Sequence, residues 1–265
     1  MHRKAVKTAG RLSRLVHWEL EKTFTVPMLA IVIAAALYDF VTASYGAGSS
    51  PTAPQSLANV LDKFARGWAF NLSVEAVSSF MFSVFIFAAL TSISLSRDIS
   101  SGYMRVLLSY PIRRAKLFMS RVLVLLLVPF LIFMCTLMFV GALVFPSLFL
   151  RISVLDIGYI AAVIFVQMFL IFAVSFSASL YIRQPVMSFL ASVVTLISLE
   201  QTSNHLPVPY NYLLPTEGTF VLMDYRFYRF QYGPTDIFMP LIGMLIVPII
   251  IMIINFFYFT RRFQT

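Results

Sequence analysis

Leu117-Phe-Met-Ser-Arg-Val-Leu-Val-Leu-Leu-Leu-Val-Pro-Phe-Leu-Ile-Phe-Met-Cys-Thr-Leu-Met-Phe-Val-Gly-Ala-Leu-Val-Phe145 decides the fold. After Arg121 it runs without a charge for longer than the roughly 20 residues a helix needs to cross a hydrocarbon core. Working outward, comparable segments lie at 25–43, 76–95, 157–180, 185–200 and 237–259. The segment 185–200 is the weakest, uninterrupted only from Val186 to Leu199, and short enough to be re-entrant rather than spanning. Composition agrees with this reading. Hydrophobic residues make up 60% of the 265 and charged residues 12%, with a mean hydropathy of +0.87. Soluble domains carry roughly 25% charged residues. The expectation is an all-α polytopic membrane protein with six transmembrane helices, leaving no room in these residues for a nucleotide-hydrolysing domain.

The distribution of Lys and Arg sets the orientation. With six spans, fifteen basic residues fall on one side: the N-terminal region, the 96–116 loop with Arg121, Arg183, Arg261 and Arg262. Five fall on the other: Lys63, Arg66, Arg151, Arg226 and Arg229. By the positive-inside rule both termini are cytoplasmic. The net charge of +9 therefore reflects topology, and nucleic acid is not an expected partner. Cys135 is the single cysteine, so no disulfide framework exists. His2, His17 and His205 are scattered without metal-ligand spacing. The external segments are then 44–75, 146–156 and 201–236, the last rich in Pro and Tyr.

Residues 1–24 form a cytoplasmic amphipathic helix. Ala5, Ala9, Leu12, Val16 and Leu20 share one face, and Lys4, Lys7, Arg11 and Arg14 share the opposite one. A helix striped in this way lies in the membrane plane with its cations near anionic headgroups, so lipid is an expected partner. The length and amphipathicity of the basic region favour this interfacial helix over a cleavable leader, and the plainer alternative is a segment that merely orients the first span. A second amphipathic stretch (Leu57, Val60, Leu61, Phe64 and Trp68) would lie on the outer side, either as a lid over the outer end of a pathway or as a helix resting on lipid.

The loop between the second and third spans, Ser96-Arg-Asp-Ile-Ser-Ser-Gly-Tyr-Met-Arg-Val-Leu-Leu-Ser-Tyr-Pro-Ile-Arg-Arg-Ala-Lys116, is long for a turn between neighbouring helices. Gly102 permits a sharp backbone turn. Tyr103 to Ser109 favours helix, and Pro111 stops it by biasing Tyr110 away from helix. The expectation is a short helix lying across the cytoplasmic face, with Met104, Leu107 and Leu108 exposed and seeking a groove on a cytoplasmic partner.

This loop resembles the signature of type-2 permease subunits of ATP-binding-cassette exporters. Asp98 stands where that family has an acid four before a glycine, and Gly102 is the glycine. Leu107-Leu108-Ser109-Tyr110-Pro111 matches its Leu-Leu-Ser-x-Pro stretch, and Arg114 its arginine three after the proline. Ser120-Arg121 replaces the usual Gly-Lys, Ser100 a frequent second acid, and Tyr103 a threonine. Family members also have an N-terminal interfacial helix, six spans and a long external segment that dips back before the last span. The resemblance implies a single permease domain (1–265) in a prokaryotic plasma membrane. It would be paired with a second permease subunit, identical or homologous, and with two copies of a separate ATP-binding subunit that holds ATP and Mg. Coupling to that subunit would fall on Asp98, Gly102, Met104, Leu107, Leu108, Pro111 and Arg114. No catalytic, cofactor or metal site is expected on this chain, which has no G-x-x-x-x-G-K-[ST] phosphate loop.

Asp39, Glu75 and Glu200 all fall near an interface, where charge is tolerated, and Gln167 lies near mid-span. No buried carboxylate relay suits a secondary transporter, and no nucleophile–base pair or metal set suits a membrane-embedded enzyme. The alternatives are a permease-like anchoring or signalling subunit, which would use the same loop and move no solute, and a secondary transporter, which would move solute without ATP. Gly102→Pro is expected to uncouple ATP hydrolysis from transport while leaving insertion intact, as read by substrate movement in reconstituted vesicles.

Overall fold

The computed structural model describes residues 2–25, 28–34, 36–37, 80–110, 113–144, 153–227 and 233–262, and every regular element among them is helical. The order begins with α1 (His2–Thr23). Then α2 (Phe80–Thr91) runs through a π turn, Ser92–Ser96, into α3 (Arg97–Ser100). Next come α4 (Tyr103–Ser109), α5 (Arg114–Val144), α6 (Val154–Ile182) and α7 (Pro185–Gln201). Two 3-10 turns, Thr202–His205 and Tyr210–Leu213, lead to α8 (Pro215–Phe227). Finally α9 (Pro234–Leu241) passes through a second π turn, Ile242–Ile246, into α10 (Val247–Arg262).

Among the described residues, four stretches are long and apolar enough to cross a membrane: Ser83–Ser100, Arg114–Thr136, Val154–Ile182 and Thr235–Arg261. The chain is therefore all-α, with the helices of a multi-pass membrane protein. α7 is apolar but has 17 residues. In the expected first span, 28–34 and 36–37 are helical, while 38–43 with Asp39 lie outside the described residues. So do Glu75, Pro111 and the amphipathic stretch 57–68. The second span does not stop at 95 as its apolar run suggested. It continues as helix to Ser100, so Asp98 belongs to a helix end rather than to an open loop.

α6 is the central helix, packing against α2, α7, α8 and α10. Its Ile171, Phe172, Ala173, Phe176 and Ser179 are fully buried. Small residues bring neighbours close: Thr91 Oγ1 bonds its own Phe87 carbonyl at 2.8 Å and reaches the Ser175 carbonyl across the interface at 3.3 Å. At the end of the bundle that carries Arg114, Phe118 gathers Phe176, Phe256 and Phe259 at ring separations of 5.4, 5.4 and 5.6 Å. The steep interplanar angles suit the aromatic quadrupole. Asn255, buried on α10, donates to Ser177 Oγ at 2.7 Å, a pairing that leaves its side-chain amide satisfied inside the bundle.

Residues 210–227 fold back on the last long helix. Leu214, Thr219, Val221, Leu222 and Met223 are buried, and the Tyr159 hydroxyl of α6 donates to the Leu222 carbonyl. The approach is tightest at two glycines. A Cβ on Gly243, within the second π turn, would stand 2.0 Å from the Leu213 carbonyl oxygen. One on Gly218 would stand 2.7 Å from the Tyr212 oxygen and 2.8 Å from Met244 Sδ. Gly243 lies ~14 Å along the helix from Pro234 at ~1.5 Å rise per residue. Pro240, just upstream, removes one helical hydrogen bond, and the π turn follows at once.

Gly243→Ala is expected to destabilise the protein by about 1–3 kcal/mol through overpacking against rigid backbone. Gly158→Ala, whose added methyl meets nothing within 4 Å, should be neutral or stabilising by ~0.5–1 kcal/mol. Thermal unfolding of the two variants in detergent checks the contrast.

Candidate functional site

The loop that the sequence singled out is anchored by a buried cluster of charges. Arg121, one turn into the apolar part of α5, is the largest fully buried side chain in the protein's described residues. Its Nη2 donates to Asp98 Oδ2 at 2.6 Å. Its Nε stands 3.1 Å from Glu19 Oε1 of α1, an ion pair off the angle of a hydrogen bond. Asp98 Oδ2 also accepts from Lys22 Nζ of α1. The side chains of Arg121 and Glu19 are 0% and 1% exposed, Asp98 7% and Lys22 28%. Two cations and two carboxylates thus balance within one pocket, and three separate stretches of chain meet there.

Desolvating an isolated ion of this size costs several kcal/mol even after relaxation. The cluster persists because each charge has an opposite one in contact. Burial pushes the Lys22 ammonium below the ordinary lysine value, while its hydrogen bond to Asp98 works in the other direction. Arg121 Nη1 has no hydrogen-bond partner among the described residues.

A second contact reinforces the first. Trp18 of α1 stacks on Tyr103, the first residue of α4, with centroids 6.2 Å apart and planes 28° apart. The Lys22 ammonium lies 4.5 Å from the Tyr103 ring and 5.2 Å from Trp18, within cation–π range. α1 also packs along α5. The helix expected to rest on lipid is therefore clamped to the loop by its last two turns. Of its basic face, Arg14 is exposed, and the side chains of Lys4, Lys7 and Arg11 lie outside the described residues.

Gly102 adopts φ +76, ψ −3, the left-handed turn its identity suggested, and α4 runs from Tyr103 to Ser109. Tyr110 is extended at φ −74, ψ 151. The expected exposure of the apolar residues is corrected. Met104 is 1% and Leu107 8% exposed, both within the protein's own core, and Leu108 is half-buried against it. Met104 and Leu107 face inward because α4 lies flat on the bundle, so its apolar side has a partner already. The outward side carries Tyr103, Arg105, Val106, Ser109 and Tyr110, with Val106 52% and Tyr110 58% exposed. Arg114, at the start of α5, donates from Nη1 to the Thr260 carbonyl at 3.0 Å and so caps the end of α10.

Of the expected residues, Asp98 pairs with Arg121, Gly102 makes the turn that follows, Met104 and Leu107 enter the core, and Arg114 reaches the last helix. Sequence reasoning missed Glu19, Lys22 and Trp18. The signal for Glu19 was its position: three residues after Val16, it falls at the edge of the apolar stripe of α1, where an acid invites a buried partner. Comparison with protein-family models finds no match, and comparison with curated proteins finds none. Among the described residues no group of His, Cys, Asp and Glu could hold a metal ion.

Asp98→Asn is expected to lower stability by about 3 kcal/mol or more, because Arg121 is left partly unpaired in the core. Lys22→Gln, at the exposed edge, should cost about 1 kcal/mol. The double variant should fall short of the sum of the singles, since both lose the same contact. Unfolding temperatures of the three variants in one detergent test this coupling.

Proposed function

We propose that this chain is the transmembrane subunit of an ATP-driven transporter of the type-2 permease class, an exporter. In this reading it has six spans with both termini cytoplasmic, in a prokaryotic plasma membrane. It forms the substrate pathway with a second permease subunit, identical or homologous, and receives work from two copies of a separate ATP-binding subunit. The segment 201–236 is the re-entrant outer element, and 25–43 and 185–200 supply the remaining spans.

The observation that carries the proposal is the charge cluster. A device that converts motion beneath the membrane into helix movement needs a surface for the motor and a stiff connection from that surface to the spans. The outward face of α4 offers the first. Asp98 at the end of the second span, Arg121 at the start of the third and Glu19 and Lys22 on α1 supply the second. Arg114 extends the connection to the last helix. A charged cluster suits this role because its members must move together: separating any one strands a buried charge. The π turn at Ser92–Ser96 sits immediately above, where an irregular helical turn lets the segment below it move relative to the segment above.

With Met104 and Leu107 buried, the docking face shifts to Tyr103, Arg105, Val106 and Tyr110. Leu108 supports that face from beneath rather than meeting the motor.

Val106→Asp combined with Arg105→Glu is expected to release a co-purifying ATP-binding subunit without altering membrane insertion or thermal stability. Gentle affinity purification from the native membrane, with quantification of any stoichiometric soluble partner, reads the outcome. If the native chain brings down no such subunit, the ATP-coupled reading fails. A partner that hydrolyses ATP without solute movement would instead assign an anchoring or signalling role.

A further inference from the structure

A cleft of about 660 Å3 opens at the end of the bundle that carries Arg114 and Phe118, between the last turn of α6 and the last three turns of α10. Tyr181, Ile254, Phe257, Tyr258 and Arg261 line it. We propose that it is a binding site for one anionic glycerophospholipid. An acyl chain would lie against Ile254 and Phe257, and the phosphate of the headgroup would sit at Arg261.

Three observations support this occupant. First, the cleft opens on the side of α10 that faces away from the protein. Ile250, Ile253, Ile254 and Phe257 are each about half exposed, whereas Met252, Asn255 and Phe259 on the other side are buried. A row of exposed aliphatic and aromatic side chains along a span-length apolar helix is a surface for acyl chains. Second, the wall changes character toward the end of α10. Tyr181 and Tyr258 pack with ring centroids 4.5 Å apart, and the Arg261 guanidinium lies 5.9 Å from the Phe257 ring. Aromatic rings followed by a cation are the ordinary sequence of groups at a membrane interface. Third, the charge is one-sided. No acidic residue follows Asp236 in the sequence, Arg262 adjoins Arg261, and no carboxylate pairs with Arg261 among the described residues. An anion from the lipid supplies the missing partner, and a basic pocket between spans is a recognised form of headgroup site.

A cleft of this volume accommodates a headgroup and the upper part of one chain, within the range of small-molecule sites generally. This inference rests on the membrane-spanning reading alone and not on the ATP-coupled one, since lipid retention needs no other subunit.

The test is native mass spectrometry of the purified chain presented with equimolar phosphatidylglycerol and phosphatidylcholine of matched acyl chains. The native protein is expected to retain phosphatidylglycerol preferentially. Arg261→Gln should reduce that preference about fivefold, the size of one basic contact at a membrane surface. Arg261→Lys should keep most of it, and Arg97→Gln, an exposed cation at the start of α3, should leave it unchanged. Ile254→Trp, which fills the cleft without altering charge, should lower retention of the bound lipid and decides the matter if Arg261→Gln fails to fold. Equal retention by the native protein and the Arg261→Gln or Ile254→Trp variants would overturn the assignment. So would an equal loss in Arg97→Gln, which would mark diffuse surface charge. A loss of dimer with unchanged lipid count in Arg261→Gln would assign the cleft to a second copy of the chain instead.

Discussion

A guanidinium with no access to water is the constraint on which the rest of this structure depends. Arg121 sits where an apolar helix has already begun, 0% exposed, and the fold must bring it anions. It finds one on each side, Glu19 from the N-terminal helix and Asp98 from the end of the preceding span, and Lys22 completes the balance. Because the partners come from three stretches of chain, satisfying the arginine fixes where α1 lies, where α2 ends and where α5 begins. Hydrophobic burial positions helices in bundles only loosely about their axes. A point requirement for charge pairing fixes register and rotation as well.

The loop between these helices inherits its geometry from the cluster. With Asp98 held inward and Gly102 supplying a left-handed turn, α4 is laid flat on the bundle and its apolar side is covered at once. What remains outward is a mixed face of two tyrosines, an arginine and a valine. Such a face suits a contact that must form and release repeatedly, since it offers aromatic area and one cation without a large sticky patch. Arg114 and the Phe118 group carry the same rigidity across to α10.

Much of this was legible from residue order. The apolar runs located the long helices, Gly102 and Pro111 bounded the short one, and Asp98 and Arg121 were each marked, though not as partners. The remainder was not, for physical reasons. Which side of a seven-residue helix faces inward depends on what it lies against, so Met104 and Leu107 read as exposed when their partners are segments far away in sequence. The π turns extend or shift helices without any distinctive residue: Ser92–Ser96 looks like the polar end of a span, and helix continues through it. Gly243 reads as one more small residue in a span, and only the return of Leu213 onto it shows why a side chain cannot fit. The burial of Glu19 depends on a partner about a hundred residues downstream, beyond any periodic pattern.

That separation also sets an order of events during synthesis. At ~5–20 residues per second, Arg121 is made on the order of ten seconds after Glu19. Through that interval the carboxylate lacks the arginine that it meets in the folded protein. Only once α5 has been made can α1 be drawn against the bundle. A helix made early is thus settled late, held back by a partner that the ribosome has yet to supply.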